Sequence, residues 1–366
     1  MTLPLVVPLK DLSVSLHELG GRRPLVICSR SAGRLSVVES ALQGLQSVGH
    51  VPFHGANPTL SQVEAALSDA AERRPDCVVA VGGGSAIDFA KAIALFLPQP
   101  DLCRSLLDGS VQPRFSALPL IAVPTTAGSG SEATHFASIY HGEKKRSLAH
   151  PSLRPALACL EPAVLASLAG RQLAESALDA LCHGIEACWS RNATSVSRAL
   201  ALKSISLLWP IVSSRPALTS SNSRAALLKG AHLAGQAINI SKTTAAHAYS
   251  YWLTTTFGIA HGHAVGLMMG IILHHVDEEA ENDRRLRYAI EAICRAAGTS
   301  GLSDLRCGIR RILRDAGLAH SIAGCGPEFP SAADIWRRGD PDRLSNHPTP
   351  ISEVAFVRAA VKSNET

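Results

Sequence analysis

The 366-residue sequence predicts an α/β dinucleotide-binding domain over about residues 1–161, followed by an all-α domain over 162–366. Three observations support this. Short apolar runs alternate with amphipathic stretches through the first half, two of those runs end in loops rich in glycine and hydroxyls, and beyond Glu161 strand signals give way to long helical periodicities. The length itself exceeds one small core, so two are expected.

In chain order, PLVICS (24–29) reads as a buried strand, and a helix follows over 33–46 with Leu35, Val38, Ala41, Leu42 and Leu45 on one face. SVGHVPFHG (47–55) is a second strand and turn, and 61–72 is helical with Ser61 as its N-cap. DCVVAVGGG (76–84) is a strand running into a glycine loop, 85–97 a helix that Ser85 can cap, and LPLIAVPTT (118–126) another strand. In the second half the periodicity predicts helices over 171–190, 196–211, 223–238, 244–255 and 264–276. Residues 324–350, rich in Pro, Gly, Asp and Ser, read as irregular, before a last short helix over 351–361.

A composition of 46% hydrophobic and 18% charged residues fits a packed globular protein and argues against long disorder. Aromatics are only 4%, and the basic residues are scattered in short groups such as Lys144–Lys145–Arg146, so the net charge of +5 forms no nucleic-acid track. Small anionic ligands are the partners such a charge favours. Nine cysteines without a CxxC pair read as reduced thiols. The N-terminus MTLPLVVPLK lacks a signal-peptide pattern and no run approaches a membrane span, so a cytoplasmic protein without a membrane partner is expected.

The turn through Gly82, Gly83, Gly84 and Ser85 joins a strand to a helix, where glycines admit a diphosphate to the backbone and the helix N-terminus favours its charge. It is not the GxGxxG fingerprint. A second loop, VPTTAGSGSEAT (123–134), offers Thr125, Thr126, Ser129, Ser131 and Thr134 at a strand's carboxyl end, where open α/β sheets bind ligands.

VGGGSAIDFAKAIA and PTTAGSGSEAT, with GANPT (55–59) before them, resemble the paired nucleotide motifs of the iron-containing alcohol dehydrogenase family, in order and with normal spacing. The resemblance implies that family's fold, shared with dehydroquinate synthase, with a metal site in the cleft between the two domains. It implies cofactor contacts from Asn57, Asp88 and Lys145 as well as from the two loops. NAD-preferring members carry Asp where this chain has Ser29. With Arg30 and Arg34 close behind, loss of that carboxylate favours NADPH, NADH remaining possible.

In AESALDALCHGIEACWS, Asp179 and His183 are four apart on one helical face and can meet one ion, although the same spacing also suits a surface ion pair. His247, His261 and His263 then fall within seventeen residues. The resemblance selects among them: Asp179, His183, His247 and His261 match the family's metal ligands, a set suited to Fe(II) or Zn(II). His263 is left either to substrate or to a backbone carbonyl. Many members carry a histidine four residues after His247; Tyr251 stands here, a phenol that can relay a proton, and Lys145 is a second catalytic candidate.

The reaction implied is hydride transfer between a nicotinamide and a metal-polarised carbonyl. Lys242, within a polar NISKTT stretch, is a candidate anchor for an anionic substrate group, with His135 or Lys145 in support. KTTAAHAYSY and ESALDALCHGIEACWS are similar to a branch of the family that reduces phosphonoacetaldehyde to 2-hydroxyethylphosphonate. Another small aldehyde or alcohol, such as lactaldehyde, is the nearest alternative. A dehydroquinate synthase-like lyase is a further one, but that family's metal set resembles one glutamate with two histidines. The resemblance also implies a homodimer or larger assembly.

Overall fold

The computed structural model describes residues 4–142, 144–214 and 220–365, and the chain divides into two compact units, Met1–Ser167 and Leu168–Thr366. In the first unit the described residues form a six-stranded, all-parallel sheet in the order β1-β8-β5-β4-β2-β3. Its strands are β1 (Leu5–Val7), β2 (Pro24–Ser29), β3 (Gly49–Phe53), β4 (Cys77–Gly82), β5 (Leu120–Pro124) and β8 (Leu157–Cys159). An antiparallel hairpin, β6 (Phe136–His141) and β7 (Lys144–Ala149), stands apart from it. The helices are α1 (Leu12–Glu18), α2 (Ser36–Gln43), α3 (Leu60–Glu72), α4 (Gly84–Phe96) and α5 (Cys103–Leu107).

Every residue of β4 and β5 is buried, which is why these strands read as unbroken apolar runs rather than as alternation. Because β4 lies between β2 and β5, the turns that follow these three strands are neighbours at one edge of the sheet. Local chemistry differs from expectation in places. Thr59, not Ser61, caps α3: its hydroxyl accepts from Gln62 N at 3.3 Å while Gln62 Oε1 accepts from Thr59 N at 2.9 Å, and a reciprocal pair outcompetes a lone hydroxyl. Ser85 does not cap α4; its Oγ accepts from Asn57 N at 3.3 Å. The predicted 33–46 helix opens as a 3-10 turn, Ala32–Arg34, before α2.

The second unit is helical: α6 (Gly170–Trp189), α7 (Ser195–Val212), α8 (Ser221–Ser241), α9 (Ala245–Phe257), α10 (His261–Glu279), α11 (Arg284–Ala297) and α12 (Leu302–Asp315). It continues through two short helices, α13 (Ala332–Arg337) and α14 (Pro341–Ser345), to α15 (Glu353–Glu365). The irregular tail expected over 324–350 is thus partly helical, and α13 and α14 pack on α9. Each is short and built from its own cap, Ser331 or Asp340, so no apolar periodicity announces it. Among the described residues one helix, α7, is long and apolar enough to span a membrane by length and composition; here it packs against α6 and α8, and it carries Arg198 and Lys203. All nine cysteines are unpaired.

Helix α10 approaches α6 so closely that a Cβ on Gly262 would stand 1.9 Å from the carbonyl oxygen of Glu175 and one on Gly266 would stand 2.2 Å from the Leu178 side chain. The glycine beside His261 is therefore required by backbone contact. At Gly270, one turn further, the nearest atom is Ser363 Oγ at 3.7 Å. Gly262→Ala is expected to destabilise the helical unit by about 3 kcal/mol or more, since a peptide carbonyl cannot move aside as a side chain can. Gly270→Ala should instead be neutral or stabilising by up to about 1 kcal/mol. Denaturant unfolding of both variants checks the contrast.

Candidate active site

Asp179 and His183 lie one turn apart on α6, His247 in the first turn of α9, and His261 is the first residue of α10. Their side chains converge. Around Asp179 Oδ1 stand His247 Nε2 at 3.3 Å, His261 Nε2 at 3.8 Å and His183 Nε2 at 3.9 Å. Ligand atoms about 2.0–2.1 Å from one tetrahedral ion are separated by roughly 3.3–3.4 Å, so the cluster is a little wider than a loaded site and of the right chemistry for one. Asp179, His183 and His247 are buried, while the His261 side chain keeps 36% of its exposure and forms the open side. The ion-pair alternative for Asp179 and His183 thus fails as a surface feature. Burial pushes the Asp179 carboxyl up, but the surrounding imidazoles of His183, His247 and His261 hold it well below the usual carboxylate range.

Sequence reasoning missed Glu186. Fully buried on α6, it accepts from His247 Nδ1 at 2.5 Å, from Thr244 Oγ1 at 2.6 Å, from Ala246 N at 2.8 Å and from Thr244 N at 3.1 Å. One carboxylate therefore orients the ring of His247 and caps the N-terminus of α9, whose N-cap residue, Thr244, makes no side-chain cap bond of its own. With Nδ1 committed to Glu186, Nε2 is the nitrogen turned to the ion, the arrangement that fixes tautomer and basicity in metal-binding histidines. Burial raises the pKa of Glu186, and the charge and hydrogen bond of His247, with the side-chain and backbone hydrogen bonds of Thr244, bring it down to about 2. The available signal was spacing: Glu186 is seven residues after Asp179 and three after His183, on the same helical face.

Of the other candidates in this unit, Tyr251 lies one turn after His247 and stacks on His261, ring centroids 5.8 Å apart and planes 8° from parallel. His263 is buried and its Nε2 is 2.7 Å from the carbonyl of Ala319, so the substrate assignment is corrected to the backbone role that burial inside α10 requires. Lys242 is exposed at the α8–α9 junction with φ 58° and ψ 175°, a conformation costly for any residue but glycine. Asn346 imposes it: its Nδ2 donates to the carbonyls on either side, Ser241 at 2.8 Å and Thr243 at 2.9 Å.

In the first unit, the two loops meet face to face. A Cβ on Gly84 would come 2.3 Å from Ser129 Oγ, one on Gly83 would come 3.3 Å from Thr126, and one on Gly82 would come 3.1 Å from the Cβ of Ser29. Asn57, with φ 57°, closes the same corner through Ser85. Asp88 is turned to protein groups: it accepts from Ser131 Oγ at 2.5 Å and Ser138 N at 2.9 Å, bracing α4 to the hydroxyl loop. Lys91, missed in the sequence, is buried beside it and donates to Thr134 Oγ1 at 3.0 Å and Phe136 O at 2.8 Å. Thr125 is buried at the end of β5. Lys145, on β7, lies within the electrostatic reach of Asp88, and His135 follows the hydroxyl loop immediately before β6.

Residues 8–162 match the family model described as iron-containing alcohol dehydrogenase, and residues 173–318 match that of the Fe-containing alcohol dehydrogenase C-terminal domain. The chain belongs to the iron-containing alcohol dehydrogenase family. It is 33% identical over 320 residues to a phosphonoacetaldehyde reductase of Streptomyces viridochromogenes, covering 80% of each chain. To long-chain-alcohol dehydrogenase 1 of Geobacillus thermodenitrificans it is 28% identical, over 96% of this chain and 91% of the relative. Among solved structures, a sulfoacetaldehyde reductase from Bifidobacterium kashiwanohense in complex with NAD+ aligns with a TM-score of 0.89 at 22% identity, over 100% of this chain and 98% of that one.

For an iron-containing alcohol dehydrogenase, the cluster around Asp179 fits a divalent ion: three imidazole nitrogens face one carboxylate oxygen, and the most buried imidazole is aimed by a second carboxylate. Glu186→Gln would turn an NH2 group toward a set of donors. It is expected to weaken divalent-ion affinity about 10- to 100-fold, read by competition with a chelator, whereas unchanged affinity would show that His247 is aimed without it.

Proposed function

We propose that this dehydrogenase reduces a small anionic aldehyde with NADPH, and that phosphonoacetaldehyde, giving 2-hydroxyethylphosphonate, is its substrate. The observation that carries the reading is the identity to a phosphonoacetaldehyde reductase over four-fifths of both chains, in a chain that retains all four metal-ligand candidates. Asp179, His183, His247 and His261 would hold Fe(II) or Zn(II), and Glu186 would keep His247 Nε2 aimed at it. When bound, the ion supplies Lewis-acid polarisation of the carbonyl and the nicotinamide supplies the hydride.

The chain's own residues do the rest. Gly82–Ser85 and the hydroxyls of Thr125, Thr126, Ser129 and Ser131 cradle the dinucleotide, and Asp88 and Lys91 keep the second loop in place against α4. Ser29, beside Gly82 at the end of β2, leaves room for a 2'-phosphate, with the exposed Arg30 and Arg34 close behind it in sequence. Reduction adds a hydride to the carbonyl carbon and a proton to its oxygen. Tyr251 Oη, on the residue stacked against His261, is the group we assign to donate that proton.

A second reading, a dehydrogenase of uncharged alcohols, draws on the likeness to long-chain-alcohol dehydrogenase 1, which extends over more of the chain. A substrate panel separates the two. With enzyme reconstituted in Fe(II) or Zn(II), kcat/KM for phosphonoacetaldehyde is expected to exceed that for propanal or lactaldehyde at least tenfold; equal values would sink the phosphonate reading. Ser29→Asp is expected to reverse coenzyme preference from NADPH toward NADH, because it restores repulsion of the 2'-phosphate. A change of less than about twofold in the ratio of the two kcat/KM values would place coenzyme choice elsewhere.

A further inference from the structure

The chain passes from α8 to α9 through three residues, Lys242, Thr243 and Thr244. Lys242 N still closes α8 on the carbonyl of Ile238 at 2.8 Å, but with φ 58° and ψ 175° the residue leaves the helix through a region open in practice to glycine alone. His247 lies in the first turn of the helix that follows. The turn does little to hold itself. Thr244 makes no side-chain cap bond, and Thr243 Oγ1 is buried without a partner among the described residues. Ser241 Oγ, 3.1 Å from the Lys242 carbonyl, stands as near to that of Ala237, at 3.0 Å.

The grip comes from elsewhere in the chain. Asn346, buried just past α14, donates through Nδ2 to the carbonyl of Ser241 at 2.8 Å and to that of Thr243 at 2.9 Å. Its Oδ1 accepts from Asn192 N at 3.1 Å, and Ser190 Oγ stands 3.0 Å from that oxygen and 2.8 Å from the Ser241 carbonyl. Both amide hydrogens and the amide oxygen are in use, and the orientation is forced: two carbonyls face the nitrogen and a backbone N–H faces the oxygen. On the far side of the turn Glu186 accepts from Thr244 N at 3.1 Å and from Ala246 N at 2.8 Å. Ser190 ends α6 and Glu186 lies one turn before it, so both grips lead to the helix that carries Asp179 and His183.

We infer that Asn346 is a positioning residue of the metal centre: by holding the carbonyls on both sides of Lys242 it keeps a turn that lysine does not adopt freely, and so fixes where α9 begins and where His247 is presented to Asp179. This role rests on His247 being a metal ligand, as proposed above, whichever aldehyde or coenzyme the enzyme uses. Without Asn346 the backbone at 242 would relax toward an ordinary conformation, and Thr244 and Ala246 would move off Glu186. The Nδ1 bond that aims the His247 imidazole would be disturbed with them. Glycine at 242 removes that drive, because it takes up the observed φ and ψ without steric cost.

The test is titration of the full-length protein, first stripped of metal, with Co(II) in wild type, Asn346→Ala, Lys242→Gly and the double variant. Affinity is read by competition with a chelator and ligand geometry by the visible absorption of the bound ion. Asn346→Ala is expected to weaken Co(II) binding about 10-fold and to change the absorption, since one imidazole is no longer aimed. Lys242→Gly alone should bind within about threefold of wild type, and the double variant within about threefold of Lys242→Gly. A residue that served only the stability of the fold would lower the melting temperature and leave the affinity and spectrum of the folded protein in place. The role is overturned if Asn346→Ala binds Co(II) like wild type, or if its loss persists in the double variant. Should Asn346→Ala not fold, the double variant decides: folded and binding like Lys242→Gly it supports the role, and folded but weak, or unfolded, it overturns it. Wild type that takes up no stoichiometric Co(II) would overturn the metal assignment itself, and this role with it.

Discussion

A buried carboxylate must be satisfied on every side, and in the helical unit Glu186 is satisfied by groups that have to be where they are for the metal ligands to meet. Its partners are the first N–H groups of α9 and the Nδ1 of His247. If α9 rotated or slid on α6, Glu186 would lose its donors in a medium where an unpaired charge costs several kcal/mol. The capping of one helix and the aim of one imidazole are thereby the same interaction. Asp179, two turns earlier on the same face of α6, then has His247 Nε2 at 3.3 Å with no freedom left in the ring.

The remaining two ligands are brought in by backbone proximity. His183 is on α6 itself, and His261 arrives because Gly262 lets the start of α10 touch the Glu175 carbonyl. A residue with a side chain at 262 would hold the two helices apart and move His261 out of range of Asp179. The dinucleotide-type unit uses the same device at Gly84 against Ser129, where a Cβ would fill the gap between two loops. In both units glycine appears where two pieces of chain must come closer than a methyl group permits, and the residues next to it carry the chemistry.

Much of this was legible in the sequence because it is local. Fully buried parallel strands write themselves as apolar runs, as in CVVAVG and LIAVP, and amphipathic helices as a repeating face. The short strands β1 and β8, at three residues each, and the β6–β7 hairpin with its exposed Lys144 and Arg146 carry too weak a pattern to be read. The 3-10 start before α2 and the Thr59 cap turned on competition among neighbouring groups that composition does not rank. Lys91 was hidden for another reason: a lysine in a helix normally faces water, and only the packing of β6 over α4 shows that this one is enclosed.

The sequence by itself determined the family, the alternation that makes a parallel sheet, and the identity and spacing of Asp179, His183, His247 and His261, since each is encoded in short motifs and in their order along the chain. Only the tertiary structure decided what surrounds them. Glu186 meets Thr244 across 58 positions, and Ser190 meets Asn346, in a segment that reads as irregular, across 156. Such contacts leave no periodicity, because they depend on which helices pack and at what distance. The same packing leaves Lys242 exposed on a strained turn and buries His263 against a carbonyl, distinctions between a lysine or histidine that touches solvent and one that does not, which no spacing rule contains.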